Sequence, residues 1–374
     1  MTDSIGQLAG ESVALLKEMV AIPSPSFEED KVCTHIFNWL ENRGIAPERV
    51  GNNIICEHIA NESAPTLMLC AHIDTVSPAT DYSFDPYTPC QADATAAISA
   101  CTGIQVDGNG IVAGLGSNDD GASVVSLIAT FRHFLKHPET AGIPNLTLVL
   151  TSEEERSGSG GMKSLWPDRL GRIEYAIVGE PTGMKAATSE RGLLVIDAVS
   201  EGISGHAARN EGKNAIYIAM EDIRKIREHR FEKISPSMGE VHLNVTQINA
   251  GSAHNVIPDR CTFVTDIRPT EQYSNEEIFS TLQELCSSRL TARNLANRSS
   301  ATSPGSPLKD AAERCGIGTF SSPTTSDWMR IGCDAVKMGP GESSRSHKKD
   351  EFVFVSEIED AITKYIEFIE NIRI

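Results

Sequence analysis

LMLCAHID at residues 67–74 and LTLVLTSEEE at 146–155 decide how this chain is read. Each is a short apolar, β-rich run that ends abruptly in side chains able to bind metals or move protons. His72 and Asp74 close the first run, and Glu153, Glu154 and Glu155 close the second. A third run, YAIV at 175–178, leads into Gly179-Glu180-Pro181, and a fourth β-rich run occupies 53–56. Helical patterns lie between some of these, the clearest at 122–135, behind Asn118-Asp119-Asp120 as potential N-caps. Strands alternating with helices predict an α/β fold with a mixed, mostly parallel sheet flanked by helices.

Upstream, residues 5–20 read as an amphipathic helix stopped by Ile22-Pro23-Ser24-Pro25, and 28–42 as a second helix. Downstream of about residue 186 the texture changes. Strand patterns at 191–200, 240–248 and 260–268 alternate with helical patterns at 214–228 and 275–286. That β-α-β-β-α order suits helices packed on a small antiparallel sheet, inserted into the larger domain. Residues 298–306 read as the return linker and 351–355 as a strand. A closing helix starts at Ser356, with Glu359 three residues on as a capping box. The expected division is 1–185 and 298–374 for the larger domain and 186–297 for the insertion.

A net charge of −18 argues against nucleic acid or an anionic membrane as partner, since both require a basic face. No apolar run approaches a membrane span, and the first residues lack the pattern of a secretory signal. Nine cysteines without a CxxC pair read as reduced thiols, so a cytoplasmic protein is expected.

Open α/β sheets place their sites at the carboxyl ends of strands, so the three strand ends and the loop Gly114-Leu115-Gly116-Ser117-Asn118-Asp119 can converge. Singly each is weak. A lone His after a strand is usually a surface residue, and a Glu triplet is usually a solvated turn. The Gly-Leu-Gly loop lacks the GK[ST] ending of a P-loop. Four such features of metal-ligand type at matching ends are harder to dismiss.

His72-x-Asp74-Thr75, Gly114-x-Gly116-x-x-Asp119-Asp120, Glu153-Glu154-Glu155, Gly179-Glu180-Pro181 and Gly339-Pro340-Gly341…His347-x-x-Asp350-Glu351 occur in one order. The series resembles the family of acetylornithine deacetylase, succinyl-diaminopimelate desuccinylase, aminoacylase and bacterial glutamate carboxypeptidase. The resemblance implies a zinc-peptidase-like catalytic domain with a ferredoxin-like insertion that dimerises and closes over the site. It implies two divalent ions, one on His72 and Glu180, the other on Glu155 and His347, with Asp119 bridging them. Zinc suits such N and O ligands, with cobalt or manganese tolerated. Asp74 would orient His72, and Glu154 would act as general base. A one-residue slip would move the base to Glu153. In the insertion, His206 would reach the neighbouring subunit's site and stabilise the oxyanion. Asn255 and Arg268 match substrate-binding positions, and Arg345 is a candidate second anchor for a carboxylate.

Where family members carry Lys-Gly after the bridging aspartate, this chain has Asp120-Gly121-Ala122. The Gly-Leu-Gly-Ser-Asn-Asp form looks closest to the acetylornithine deacetylase-like branch. The expected reaction is hydrolysis of a small N-acetyl or N-succinyl derivative of ornithine or citrulline, in arginine synthesis, by a homodimer. A metallo-dipeptidase or tripeptidase is the alternative. A metal-free binding relative is the third reading, and the complete ligand set argues against it.

Overall fold

The computed structural model describes residues 4–89, 92–137, 143–209 and 211–373. The chain divides into two units. The first comprises Met1–Thr188, Thr302–Phe320 and Ser326–Ile374; the second comprises Ser189–Ala301 and Ser321–Thr325.

In the first unit the sheet runs in the order Glu48–Val50, Asn53–His58, Asn145–Thr151, Thr66–His72, Tyr175–Val178, Asp334–Lys337 and Ala186–Glu190. The four strands from Asn145–Thr151 to Asp334–Lys337 are mutually parallel, and antiparallel strands flank them. Register matters more here than strand count. His72 lies opposite Thr151, and Cys70 opposite Val178, so three strands end at one edge of the sheet.

Alternation feeds both faces of this sheet. Leu67, Leu69 and Ala71, with Leu146, Leu148 and Leu150, join the core formed with helices Ile5–Val20, Ala122–Lys136 and Val355–Glu370. Met68, Cys70 and Val149 point the other way, into a core that holds Met162, Leu165 and Trp328. Ser4 starts the first helix by accepting the amide of Gln7 at 3.2 Å.

Two caps differ from expectation. The helix Ala122–Lys136 has no side-chain cap, because Asp119 and Asp120 adopt non-helical backbone angles and their carboxylates turn toward His72. The closing helix is capped at Phe354, two residues before the expected Ser356: Glu357 Oε2 accepts the Phe354 amide at 2.8 Å. The same carboxylate holds Arg345 at 2.7 and 3.1 Å, so the helix start is pinned to the preceding loop.

The second unit carries a four-stranded antiparallel sheet in the order His242–Ala250, Arg260–Arg268, Leu194–Glu201 and Arg289–Ala292. Helices Ala215–Glu228 and Asn275–Leu285 cover one face, sharing a core of Ile196, Ala198, Ala219, Phe263, Ile278 and Leu282. A capping box formed by Ser274 and Glu277 starts the second of these helices. The last strand completes a β-α-β-β-α-β order with ferredoxin-like strand sequence. Among the described residues no helix is long and apolar enough to cross a membrane, and the eight described cysteines are unpaired; Cys90 lies outside the described residues.

Glu357→Ala should remove both the cap and the ion pair, costing about 1–2 kcal/mol. Thermal unfolding should then fall by about 2–6 °C. Ser356→Ala should leave the midpoint in place, and an equal loss in the two variants would return the cap to Ser356.

Candidate metal centre

The aligned strand ends deliver the side chains. His72 ends the strand Thr66–His72 and is almost fully buried. Its Nε2 lies 3.1 Å from Asp119 Oδ1, while its Nδ1 lies 3.0 Å from the Asp74 carbonyl and 3.4 Å from the Asp74 carboxylate. A ring nitrogen held by a main-chain carbonyl donates its proton there, leaving Nε2 as the ligand atom. The other oxygen of Asp119, Oδ2, lies 3.8 Å from His347 Nε2, which in turn sits 2.9 Å from Glu155. One carboxylate thus presents each of its oxygens to a different imidazole, the disposition a bridging ligand requires.

Two overlapping donor sets follow. His72, Asp119 and Glu155 form one, and His72, Glu154 and Glu180 the other; in each, the ligand atoms lie within 4.8 Å of one another. All five residues expected as ligands are gathered here, in the first unit. Nitrogen and oxygen donors without thiolate fit divalent cations.

The Glu triplet is sorted by its hydrogen bonds. Glu153 has a left-handed backbone (φ 58°), and its carboxylate turns away to accept the Gly160 amide at 2.7 Å. A Cβ at Gly158 would come within 2.6 Å of Glu153 Cβ as well as 2.1 Å of its carboxylate, so the loop needs glycine there. The amides of Glu154 and Glu155 donate to the two oxygens of Asp74 at 3.0 and 3.2 Å, which directs both of these side chains inward. Asp74 therefore serves the triplet as well as His72.

Charge is the dominant feature of this centre. Burial pushes Glu154 well above the carboxylate range, and Glu180, Asp327 and Glu155 add to it against the pull of His72. Glu180 is likewise raised by burial, with Lys337 opposing and Asp119 adding. Glu155 rises through burial against its bond to His347. Burial alone would depress His72, yet its bonds to Asp119 and Asp74 raise it well above its ordinary value. Burial works to raise Asp119, but the bond and charge of His72, together with Ser346 and His347, lower it. So many carboxylates around two imidazoles leave a deficit of positive charge, which two divalent cations would supply.

Several residues that shape the centre gave no sequence signal of their role. Glu351 Oε1 accepts the amides of Asn118 and Asp119, both at 2.9 Å, and so holds the bridging loop. Asp120 accepts the His72 amide at 3.4 Å. Asp327 takes the Thr151 hydroxyl at 2.6 Å. Glu351 and Asp120 stood inside recognisable motifs, next to Asp350 and Asp119, whereas Asp327 stood in none.

The remaining expected residues lie elsewhere. Arg345 is in the first unit, but its guanidinium is taken up by Glu357 and stacks over Phe352 at 4.5 Å. This fixes the loop leading to His347 and leaves the fork engaged where a substrate carboxylate was expected. His206, Asn255 and Arg268 belong to the second unit. His206 pairs with Val256 across two short strands, and Ala207 donates to the Asn255 carbonyl at 3.1 Å. His206 Nδ1 accepts the Ala208 amide at 3.2 Å, which makes Nε2 the proton-bearing nitrogen of the neutral ring. Arg268 forms a two-point pair with Asp266 at 2.8 and 3.1 Å.

Comparison with known proteins agrees with this architecture. Residues 188–293 match the family description "Peptidase dimerisation domain". Succinyl-diaminopimelate desuccinylase of Corynebacterium glutamicum is 27% identical over 376 aligned positions, covering 94% of each chain. Acetylornithine deacetylase of Myxococcus xanthus is 28% identical, covering 62% of this chain and 66% of its own. Among solved structures, a dinuclear metal-binding peptidase of the M20 family from Bacillus subtilis superposes with TM-score 0.70 at 16% identity, covering 98% of this chain and 99% of its own. The aminopeptidase PepT of Bacillus cereus gives 0.74 at 18%, with both chains fully covered. Fold and donor set define a hydrolase of the metallopeptidase and amidohydrolase class. The chain carries a peptidase dimerisation domain at 188–293 and is similar along most of its length to the desuccinylases and deacetylases that its sequence motifs resemble.

Without metal, burial pushes Asp120 and Glu351 up to about 8. Both then keep a proton in the fold that the unfolded chain has already released, so the native state binds more protons between about pH 4 and 8. The stability this provides is complete below the unfolded value and is lost as pH rises through about 8. Chelator-treated protein should therefore unfold at progressively lower temperature from about pH 5 to about pH 9. Zinc should restore the midpoint, and Glu351→Gln should flatten the pH slope. An unchanged slope in Glu351→Gln would exclude that residue as a source of the effect.

Proposed function

We propose that this protein hydrolyses the amide bond of a small N-acyl amino acid, with Glu154 as general base beside two divalent cations bridged by Asp119. The observation that carries this reading is the placing of Asp119, with its two oxygens turned to His72 and His347. Zinc is the proposed metal, with cobalt and manganese compatible with the same donors. When bound, the cations polarise the scissile carbonyl and acidify the attacking water.

Glu154 fits the base on two grounds. Its amide donates to Asp74, which directs its side chain inward to within ligand distance of His72 and Glu180. Glu153, the alternative by one residue, is committed to Gly160. Glu154 accepts a proton from water as the oxygen attacks the carbonyl carbon. It returns that proton to the departing nitrogen, giving one carboxylate and one free amine. His206, with its Nε2 proton available, is the proposed oxyanion donor, acting from the neighbouring subunit of a homodimer. Arg268 and Asn255 are the proposed anchors for the α-carboxylate. Asp266 occupies Nε and one terminal nitrogen of Arg268, so substrate would share or replace that pair.

The proposed substrates are N-acetyl- or N-succinyl-ornithine or -citrulline, handled in the cytoplasm as a step toward arginine. The similarity to both an acetylornithine deacetylase and a succinyl-diaminopimelate desuccinylase supports an acylated diamino acid and leaves both acyl groups in play.

Glu154→Gln should lower kcat by at least about 10²-fold while two metals remain bound. Glu155→Gln should instead lower metal content, and a reversed pattern would shift the base by one residue. A panel of N-acetyl and N-succinyl amino acids beside unblocked dipeptides and tripeptides reads the substrate. Faster turnover of the unblocked peptides would replace the deacylase reading with a peptidase one.

A further inference from the structure

The segment between the first two helices, Ser24-Pro25-Ser26-Phe27-Glu28-Glu29, contributes no side chain to either donor set, yet it grips the loop that does. It is laid along the end of the His72 strand: Thr75 donates to the Ser24 carbonyl at 2.9 Å and Ser26 to the Thr75 carbonyl at 3.2 Å. From there Ser26 Oγ donates to Asp74 Oδ2 at 2.7 Å.

Glu29 is completely buried, and its carboxylate accepts three hydrogen bonds. Oε1 takes the Phe27 amide at 2.7 Å and the Glu153 amide at 3.1 Å, and Oε2 takes Asn52 Nδ2 at 3.2 Å. Glu29 also stands at the N-cap of the helix Asp30–Glu41, where an acidic side chain ordinarily serves the helix. Here it makes no cap bond, so capping does not account for it.

The two amides that meet on Oε1 come from residues of unusual conformation. Phe27 (φ 76°) and Glu153 (φ 58°) are both left-handed without being glycine, a state that side chains rarely adopt unless their surroundings enforce it. One carboxylate oxygen fastens both turns. With Asp74, it completes a row: the amides of Glu153, Glu154 and Glu155 donate in succession to Glu29, Asp74 Oδ1 and Asp74 Oδ2.

We propose that Glu29 is a positioning residue. By holding the left-handed turn at Glu153, it sets the direction in which Glu154 and Glu155 leave the backbone. The inference rests on the reading of Glu154 as base and Glu155 as ligand. Geometry of this kind acts on the chemical step, because a displacement of about 1 Å at a catalytic group costs on the order of 10²-fold in rate.

The test compares Glu29→Ala, Glu29→Gln and Glu154→Gln in the zinc-loaded protein, reading kcat, KM, bound zinc and thermal midpoint on the best acyl amino acid. Glutamine keeps an oxygen for the Phe27 and Glu153 amides, and half-exposed Asn52 can turn to meet the new amide group. Glu29→Ala is expected to lower kcat by about 10- to 100-fold with KM within about threefold. Zinc at the Glu155 site should bind more weakly in Glu29→Ala, and Glu29→Gln should recover most of both losses. Wild-type kcat and zinc affinity in Glu29→Ala would overturn the proposal, as would equal losses in the alanine and glutamine variants. If Glu29→Ala does not fold, Glu29→Asp, which withdraws the carboxylate by one methylene, carries the same expectation and the same refutation. Full activity in Glu154→Gln would overturn the reading of the base itself. Its loss beside an unaffected Glu29→Ala would overturn only the positioning role.

Discussion

Asp119 faces a histidine with each of its oxygens, and much of the first unit is arranged so that it can. Its loop is held from below by Glu351, which takes two consecutive amides, and from the side by Asp120, which takes the His72 amide. The carboxylates that do this are buried among others, and each raises the proton affinity of its neighbours. Such a cluster would be costly in a protein that had no use for it. Two doubly charged ions would make the arrangement favourable and would link folding of the centre to binding of metal.

That requirement accounts for local features that look anomalous singly. The turn leading into the helix Ala122–Lys136 is irregular because its two aspartates serve the centre instead of capping the helix. Glu153 is left-handed because its amide and its carboxylate are claimed from different directions, by Glu29 and by Gly160. Lys337 is fully buried because it stands near Glu180, where its charge offsets some of the repulsion. Each departs from a local preference, and each lies near the candidate metal ligands.

Similar residue types serve opposite ends in the two units. Arg345 is held by Glu357 beside the His347 loop and lies over Phe352 and Phe354, whereas Arg268 sits at a strand end paired with Asp266. Sequence could not separate them, since both are arginines near a motif. What separates them is the stacking on Phe352 and Phe354 that Arg345 has besides its carboxylate partner. Likewise the alternation along Leu194–Glu201 showed a strand with one covered face, but not that Arg289–Ala292 would complete its sheet.

Much of the first unit was written in the chain itself. Apolar runs ending in His72, Glu155 and Glu180 read as strands because they are short, β-rich and apolar on both faces, and parallel pairing brings their ends together. The helices Ile5–Val20 and Ala215–Glu228 were legible through their apolar periodicity and the residues that stop or cap them. The helix Ala92–Thr102 was not, because it is rich in alanine and has almost no apolar stripe. The strand Asp334–Lys337 was not, because four residues ending in a lysine carry too little pattern. The candidate metal ligands could be picked out by their motifs, but their geometry could not. Which oxygen of Asp119 meets which imidazole, which of three glutamates turns inward, and which buried carboxylates hold the loops are set by hydrogen bonds between segments up to about 230 residues apart. A one-dimensional pattern records the side chains available, and only the packed chain decides which amide or imidazole each of them reaches.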